Sequence, residues 1–255
     1  MTPRPWVLAE SAWPTVRAAR YEVVVLPWGA TEAHNTHLPY ATDVVEARAV
    51  AEAAAGLAWA RGARVVVLPP VPFGVNTGQL AIPYCLNLNP STQLAILGDL
   101  LRAVEPHGAR KFVVLNGHGG NDFRPLLREL QPRTPLFLSL VNWWTVLDAR
   151  AYFAEPGDHA GALETSVMLH LAPDDVAPLA TAGPGTARPF AIAALREGWA
   201  WAQRDWPRVT DDTGVGDPRG SSAEAGARFV HDAAAKIAGY LVDLAAADPA
   251  ALYAP

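Results

Sequence analysis

Acidic and imidazole side chains are concentrated in one short segment, residues 28–43, which follows a hydrophobic run. Four of them occur there: Glu32, His34, His37 and Asp43. Imidazole and carboxylate are the groups that Zn²⁺, Mn²⁺ and Fe²⁺ prefer as ligands. In an extended segment Glu32 and His34 point to the same side, because side chains alternate along it. The segment therefore predicts most of a metal site, with a metal that performs the chemistry.

A second candidate segment is Asn116-Gly-His-Gly-Gly-Asn121. Its glycines are loosely similar to a phosphate-binding turn, but both the G-x-G-x-x-G spacing and the lysine of a P-loop are missing, so nucleotide binding is poorly supported. Glycines would instead let the backbone come close to a ligand while His118 points into the site. The alternative is a structural histidine that caps the end of a strand.

A third segment, residues 158–166, contains His159 and Glu164. Glu164 lies among apolar residues in the first turns of a predicted helix. A buried carboxylate is unfavourable unless it is paired or bound to a metal. In the alternative register, Glu164 lies on a solvated face of that helix.

The charges of these side chains favour two metal ions over one. Glu32, Asp43 and Glu164 bring three negative charges, and His34 and His118 bring two neutral imidazoles. Two divalent cations leave one positive charge, which a bridging hydroxide cancels. We therefore expect two ions about 3.5–4 Å apart that share Asp43 and a water. Because metal binding lowers the pKa of such a water from about 15.7 toward about 7, it is a nucleophile for amides and related carbonyls.

Other polar side chains are expected to support this chemistry. His159 is expected to pass a proton to the leaving nitrogen, since an imidazole that binds no metal titrates in the right range. His37 and Asn116 are expected to orient a metal ligand, although His37 has plain loop stabilisation as its alternative. Four side chains are candidates for substrate contact: Asn76, Gln79, Trp143 and Trp144. For the two tryptophans, packing between subunits is the alternative.

Hydrophobic runs that alternate with helical patterns predict the elements that position these residues. Strands are predicted at residues 22–26, 64–68, 111–115 and 136–140. Helices are predicted at residues 11–20, 44–57, 91–104, 123–130, 158–171, 192–203 and 221–246, with Ser91 or Thr92 as an N-cap. This alternation is typical of a three-layer α/β/α sandwich with a mostly parallel central sheet. Four groups of polar or aromatic residues each follow a different predicted strand, so the carboxyl edge of the sheet should gather them. The groups are Glu32 with His34 and Asp43, Asn76 with Thr77 and Gln79, Asn116 with His118, and Asn142 with Trp143 and Trp144.

Composition limits the class of protein. A chain of 255 residues that is 51% hydrophobic can bury a sizeable core, and we expect one domain over residues 1–255. The net charge of −5 and the lack of basic runs argue against a nucleic-acid partner. One cysteine, Cys85, excludes an internal disulfide and is expected to be buried. No stretch is apolar enough to span a bilayer and no signal peptide is visible, so we expect a cytoplasmic protein.

Taken together, these motifs resemble the creatininase (creatinine amidohydrolase) family. The resemblance covers most of the chain, in the loop of residues 29–43, in residues 116–121 and 159–166, and in residues 214–218. It implies an α/β/α fold, two Zn²⁺ or Mn²⁺ ions (Fe²⁺ in some relatives) and often a hexamer. Carried over by motif, the metal ligands are Glu32, His34, Asp43 and His118, with Asp43 bridging, and His159 is the catalytic histidine.

The sequence also departs from creatininase itself. In the loop after the third strand, the pattern of creatininase itself resembles His-Tyr-Glu, and that glutamate binds metal. In this sequence Gly120 occupies the position of the glutamate. The His-Gly-Gly version resembles the formamide deformylases of pyrimidine nucleotides and the mycofactocin-maturing peptidase. In those branches the last ligand is expected to be Glu164, which would then act beside His159 in catalysis.

The sequence thus predicts a dinuclear metal-dependent amidohydrolase that cleaves a C–N bond other than a peptide bond in a small cyclic or related amide. Formamide deformylation of a pyrimidine nucleotide and cleavage of a terminal peptide bond are the alternative activities. A metal-binding scaffold without turnover is the alternative of another class. A homo-oligomer is expected.

Overall fold

The computed structural model describes residues 4–253 and contains a parallel sheet of four strands. The strands are β1 (Val23–Trp28), β2 (Val65–Val67), β3 (Lys111–Asn116) and β4 (Phe137–Asn142), in the order β2-β1-β3-β4. All three pairs of neighbouring strands are parallel. The parallel sheet predicted from the hydrophobic runs is confirmed, and residues 1–3 of the predicted lead-in lie outside the described chain.

Helices cover both faces of this sheet, because successive side chains of each strand point to opposite faces. Val23 and Val25 belong to one hydrophobic cluster, whereas Val24 and Leu26 belong to the other. The helices are α1 (Trp13–Ala18), α2 (Thr42–Ala60), α3 (Pro90–Val104), α4 (Phe123–Leu130), α5 (Ala162–Leu171), α6 (Ala193–Arg196), α7 (Trp206–Val209) and α8 (Ala223–Ala246). The first cluster lies under α2, α5 and α8, and the second under α3 and α4.

One helix prediction and one N-cap prediction are wrong. The pattern of residues 192–203 gives only the single turn of α6, because the glycine at position 198 adopts a left-handed φ of 81° that ends it. The helix α3 begins at Pro90 with Asn89 as its N-cap, so neither Ser91 nor Thr92 is the cap. Proline suits this first position because its missing N–H would have no partner in the helix.

The carboxyl ends of the strands lead into the candidate segments. The loop after β1 returns to the first turn of α2, and the loop after β3 leads to α4. Gly117 lies where the end of β3 meets the start of α2, and a Cβ atom there would come within 2.7 Å of the Asp43 carbonyl oxygen. The strand end can therefore approach the helix only because this residue has no side chain. No helix in the described chain has the length and apolar character that a membrane span requires.

Candidate metal centre

Six buried or partly buried side chains from separate segments meet at the carboxyl edge of the sheet. They are Glu32, His34, Asp43, His118, His159 and Glu164. The loop after β1 supplies the first two, the first turn of α2 supplies Asp43, the loop after β3 supplies His118, and α5 and the segment before it supply the last two. The structure therefore brings together every residue that the sequence predicted as a metal ligand, together with His159.

These side chains form overlapping sets whose potential ligand atoms lie within 4.8 Å of one another. The sets are Glu32 with Asp43 and His118, His34 with Asp43 and Glu164, and Glu32 with His34 and His159. Asp43 belongs to the first two sets, and its two oxygens face different histidines. Its Oδ1 lies 3.0 Å from His34 Nε2, whereas its Oδ2 lies 3.0 Å from His118 Nδ1. A carboxylate arranged in this way can serve two cations at once.

The three imidazoles all turn a ring nitrogen outward to a backbone carbonyl. His34 Nδ1 lies 3.1 Å from the backbone carbonyl oxygen of Glu32, and His118 Nε2 lies 3.1 Å from that of Val75. His159 Nε2 lies 2.8 Å from the backbone carbonyl oxygen of Ala33. A carbonyl oxygen can only accept, so each of these nitrogens carries the hydrogen. In a neutral ring the inward nitrogen then presents a lone pair, as a metal ligand does.

The inward nitrogens face carboxylate oxygens at short range. His118 Nδ1 lies 2.9 Å from Glu32 Oε1 as well as 3.0 Å from Asp43 Oδ2. His159 Nδ1 is farther, at 3.8 Å from Glu32 Oε1. A lone pair that faces carboxylate oxygens is repulsive, so a proton or a metal ion has to lie between them. One proton cannot serve two oxygens on different side chains equally well, whereas a cation can bind all three atoms.

Without a cation, protons must hold this cluster together. Burial opposes charge on His34, but the Asp43 carboxylate outweighs it and raises the pKa of His34 to about 10. Burial likewise opposes charge on His118, but the Glu32 carboxylate outweighs it and raises the pKa of His118 well above its usual value. Burial raises the pKa of Glu164, against the lowering effect of His34. A metal ion would therefore displace protons from the imidazoles, and its affinity should rise with pH.

The chain at residue 120 has no room for a side chain. A Cβ atom there would lie 2.4 Å from both His118 Nε2 and the Val75 carbonyl oxygen. The glutamate that the resemblance places at this position in creatininase itself would collide with this His118 loop. Any further carboxylate must come from another segment, and Glu164 on α5 is the candidate from the sequence.

The candidates for substrate contact fall into two groups. Gln79 donates a hydrogen bond to Glu32 and accepts one from the Cys85 thiol at 3.2 Å, so it orients a candidate ligand. Asn76 and Trp143, by contrast, are buried, and Asn76 Oδ1 and Trp143 Nε1 have no partner among the described residues. Both atoms are also shielded from solvent. Trp144 also lines the cavity, although it packs partly against the core.

The two residues predicted to orient ligands act at a distance from the centre. His37 Nε2 lies 2.8 Å from Thr165 Oγ1, so His37 ties the first loop to α5 next to Glu164. Asn116 accepts from the His118 backbone N–H at 3.1 Å and donates to the His118 carbonyl at 2.9 Å. It therefore fixes the turn that carries His118. The other three histidines, His107, His170 and His231, are exposed and lie outside the centre.

A cavity of about 380 Å³ contains this centre. Residues that sequence reasoning had not assigned also line it: Glu46, Asp122, Asp158, Trp201, Gln203, Arg204 and Trp206. Arg204 Nη1 lies 2.6 Å from Asp158 Oδ2, and its guanidinium stacks 4.3 Å from the centre of the Trp206 ring. The edge of Trp206 in turn packs on His159, with 5.3 Å between ring centres. Only long-range packing creates these contacts, and no local pattern indicates them.

Glu46 is the residue whose absence from the sequence-based site matters most. It lies one helical turn after Asp43 on α2, its exposed fraction is 0%, and neither of its carboxylate oxygens has a partner in the described chain. Burial, followed by the charges of Glu164 and Asp43, raises the pKa of Glu46 well above its usual value. The i, i+3 spacing from Asp43 could have pointed to it, because such residues share a helix face.

Fold and site define an α/β protein with a carboxylate and imidazole centre at the carboxyl edge of a parallel sheet. The family model described as "Creatininase: Creatinine amidohydrolase" matches residues 9–241. The chain belongs to the creatininase family, as the motifs predicted, and this membership supports an amidohydrolase.

Named relatives carry two different activities. The mycofactocin precursor peptide peptidase of Mycolicibacterium smegmatis is 34% identical over 160 residues, which is 60% of this chain and 60% of that relative. A solved structure from Bacteroides fragilis NCTC 9343, with the provisional name creatinine amidohydrolase, is 44% identical with a TM-score of 0.91, over 97% of this chain and 98% of that one. A manganese form of creatininase is 24% identical with a TM-score of 0.75, over 94% and 98% of the two chains, and shares the fold.

Proposed function

We propose that this protein is a dinuclear metal-dependent amidohydrolase that cleaves a C–N bond of an amide. The observation that carries the proposal is the placement of Asp43, whose two oxygens each lie 3.0 Å from the inward nitrogen of a different histidine. The donor set of carboxylates and neutral imidazoles suits Zn²⁺ or Mn²⁺, with Fe²⁺ as a further candidate. One ion would be held by Glu32, Asp43 and His118, and the other by His34, Asp43 and Glu164.

Bound in this way, two divalent ions would polarise the substrate carbonyl and make water nucleophilic near neutral pH. The chain itself supplies orientation and proton transfer. Gln79 holds Glu32 in place, and the backbone carbonyls fix the tautomers of the imidazoles. His159 Nδ1 faces the cavity and can pass a proton to the leaving nitrogen, while Trp206 packs against the ring. Asn76 and Trp143 line the cavity that would receive the amide.

A small cyclic or related amide is the first candidate substrate, and a terminal peptide bond is the second. The second is favoured by the name of the Mycolicibacterium smegmatis relative. Deformylation of a nucleotide has less support, because Arg204 is the one Arg or Lys among the described residues that line the cavity, and it is paired with Asp158. Since Glu164 and His159 both line the cavity, turnover is favoured over a metal-binding scaffold.

The proposal is tested by metal analysis of the purified protein and by a screen of lactams, formamides and small peptides. We expect His118→Ala to lose metal and activity together, because this substitution removes an inward nitrogen that faces two carboxylates. We expect His159→Ala to keep its metal and to lose turnover. The matched control is His170→Ala, an exposed histidine on α5 that should keep both.

Two outcomes would contradict this account. Equal metal loss in His118→Ala and His159→Ala would make His159 a ligand, as its place in the set with Glu32 and His34 allows. A wild-type protein that binds no divalent ion would overturn the hydrolase proposal itself. The homo-oligomer, with a hexamer by family resemblance, and the cytoplasmic location stay predictions.

A further inference from the structure

Glu46 is an ionisable group for which the described part of the chain provides no partner. Its exposed fraction is 0%, and both carboxylate oxygens are unpartnered among the described residues. An isolated buried carboxylate is strongly unfavourable, and proteins normally pair it or bind it to a metal. The charged groups that act on it most are themselves carboxylates, Glu164 and Asp43, so its surroundings make ionisation of Glu46 still less favourable.

The position of Glu46 connects it to one half of the metal centre. It follows Asp43 by three residues on α2, so both lie on one face of the helix, and helical side chains lean back toward the N-terminus. It lines the same cavity as Asp43 and Glu164. The charged groups that act on it are Glu164 and Asp43, which both belong to the set with His34, and Glu32 is not among them. We therefore connect Glu46 with this second set.

We propose that Glu46 is a positioning residue of the metal centre, a fourth carboxylate whose charge strengthens binding of the cation held by His34, Asp43 and Glu164. This inference rests on the proposed dinuclear site. When ionised, Glu32, Asp43, Glu164 and Glu46 carry four negative charges, which two divalent cations balance with a neutral water in place of the bridging hydroxide. The loop at Gly120 has no room for a carboxylate, whereas α2 carries Glu46 as well as Asp43.

The test compares metal affinity and metal-free stability in the same variants. Glu46→Gln keeps the shape and removes the charge, and Glu46→Leu removes the polar group altogether. Glu224→Gln is the control, since Glu224 is exposed on the first turn of α8 and is not one of the residues that line the cavity. Zn²⁺ and Mn²⁺ are each titrated into the metal-free protein against a chelator, and melting of the metal-free proteins is recorded near pH 8.

We expect both Glu46 variants to bind one ion about 10–100-fold more weakly and the other ion as wild type does. We also expect the metal-free midpoint of Glu46→Leu to rise by about 2 °C or more, because a buried polar group without a partner is gone. A merely structural role would lower the metal-free midpoint instead. The control variant Glu224→Gln should show neither weaker metal binding nor a higher metal-free midpoint.

Three outcomes overturn the inference. Wild-type affinity for both ions in Glu46→Gln and Glu46→Leu would do so, as would loss of both ions together. A metal-free midpoint that falls in both variants would assign Glu46 to packing. If the wild-type protein itself binds no ion, the proposed function fails first, so the two failures are distinguishable.

Discussion

At the scale of single residues, the centre depends on how histidines are oriented. His34, His118 and His159 each donate outward to a backbone carbonyl, so in the neutral rings their inward nitrogens present a lone pair. His37, in the same loop, is different: it bonds to Thr165, and its Nδ1 has no partner in the described chain. The first three can serve a metal, whereas His37 serves the loop that carries two of the candidate ligands.

The stability of the protein should therefore fall in acid partly through His37. Burial and then the charge of His34 lower the pKa of His37 to about 4. Since its unfolded pKa is near 6.5, the stabilisation by neutral His37 is complete above pH 6.5 and is lost as the pH falls toward 4. We expect wild type to lose more unfolding free energy than His37→Gln between about pH 7 and pH 4.5, measured by urea unfolding without metal. An equal loss in both proteins would show that His37 does not titrate in this window.

At the scale of elements, the position of Glu164 depends on how α5 packs against α8. Gly226 on α8 lies at this crossing, and a Cβ atom there would come within 1.9 Å of the Ser166 carbonyl oxygen on α5. By contrast, a Cβ at Gly239 on the same helix would have its nearest neighbour at 3.9 Å, on the Arg61 side chain. The two helices can approach closely at only one of these glycines.

Alanine at these two glycines should therefore change stability in opposite directions. Gly226→Ala should destabilise by about 1–3 kcal/mol, because the helices must move apart. Gly239→Ala should stabilise by about 0.5–1 kcal/mol, because alanine favours the helix and fits without a clash. Urea unfolding of both variants measures this difference. If Gly226→Ala matched Gly239→Ala, the contact between α5 and α8 would not be as close as described.

Sequence patterns predicted the elements that carry local signals and missed those set by packing. The predicted helix of residues 123–130 coincides with α4, where apolar periodicity and the Asp122 cap agree. The predicted helix of residues 192–203 failed because a left-handed glycine and packing near the cavity decide that segment. The candidate ligands Glu32, His34 and His118 were predictable because each lies in a loop that follows a strand of one parallel sheet. Glu46 was missed although its i, i+3 spacing from Asp43 places both on one helix face. Arg204 and Trp206 were not predictable, because only the tertiary fold places them at the cavity.

At the scale of the whole molecule, the centre links parts of the chain that the sheet alone does not hold together. The loop after β1, the start of α2, the loop after β3 and α5 meet at this one point. The strands β1 and β3 form the middle of the sheet, and their residues are buried on both faces. A metal that binds only the folded form should therefore stabilise the molecule unevenly, with the largest effect in these segments.

Metal removal should show this pattern in amide hydrogen exchange. At a free ion concentration about 100 times the Kd, one bound ion raises the free energy of unfolding by about 2.7 kcal/mol. A chelator should therefore lower the melting midpoint by several degrees. We expect exchange to accelerate in residues 29–43, 117–121 and 158–164, while the amides of β1 and β3 keep their relative protection. The matched comparison is His118→Ala, in which the chelator should have little further effect because one set of ligands is already broken. Acceleration spread evenly over the chain, or equal sensitivity of wild type and His118→Ala to the chelator, would mean that the ions do not bind where these four segments meet.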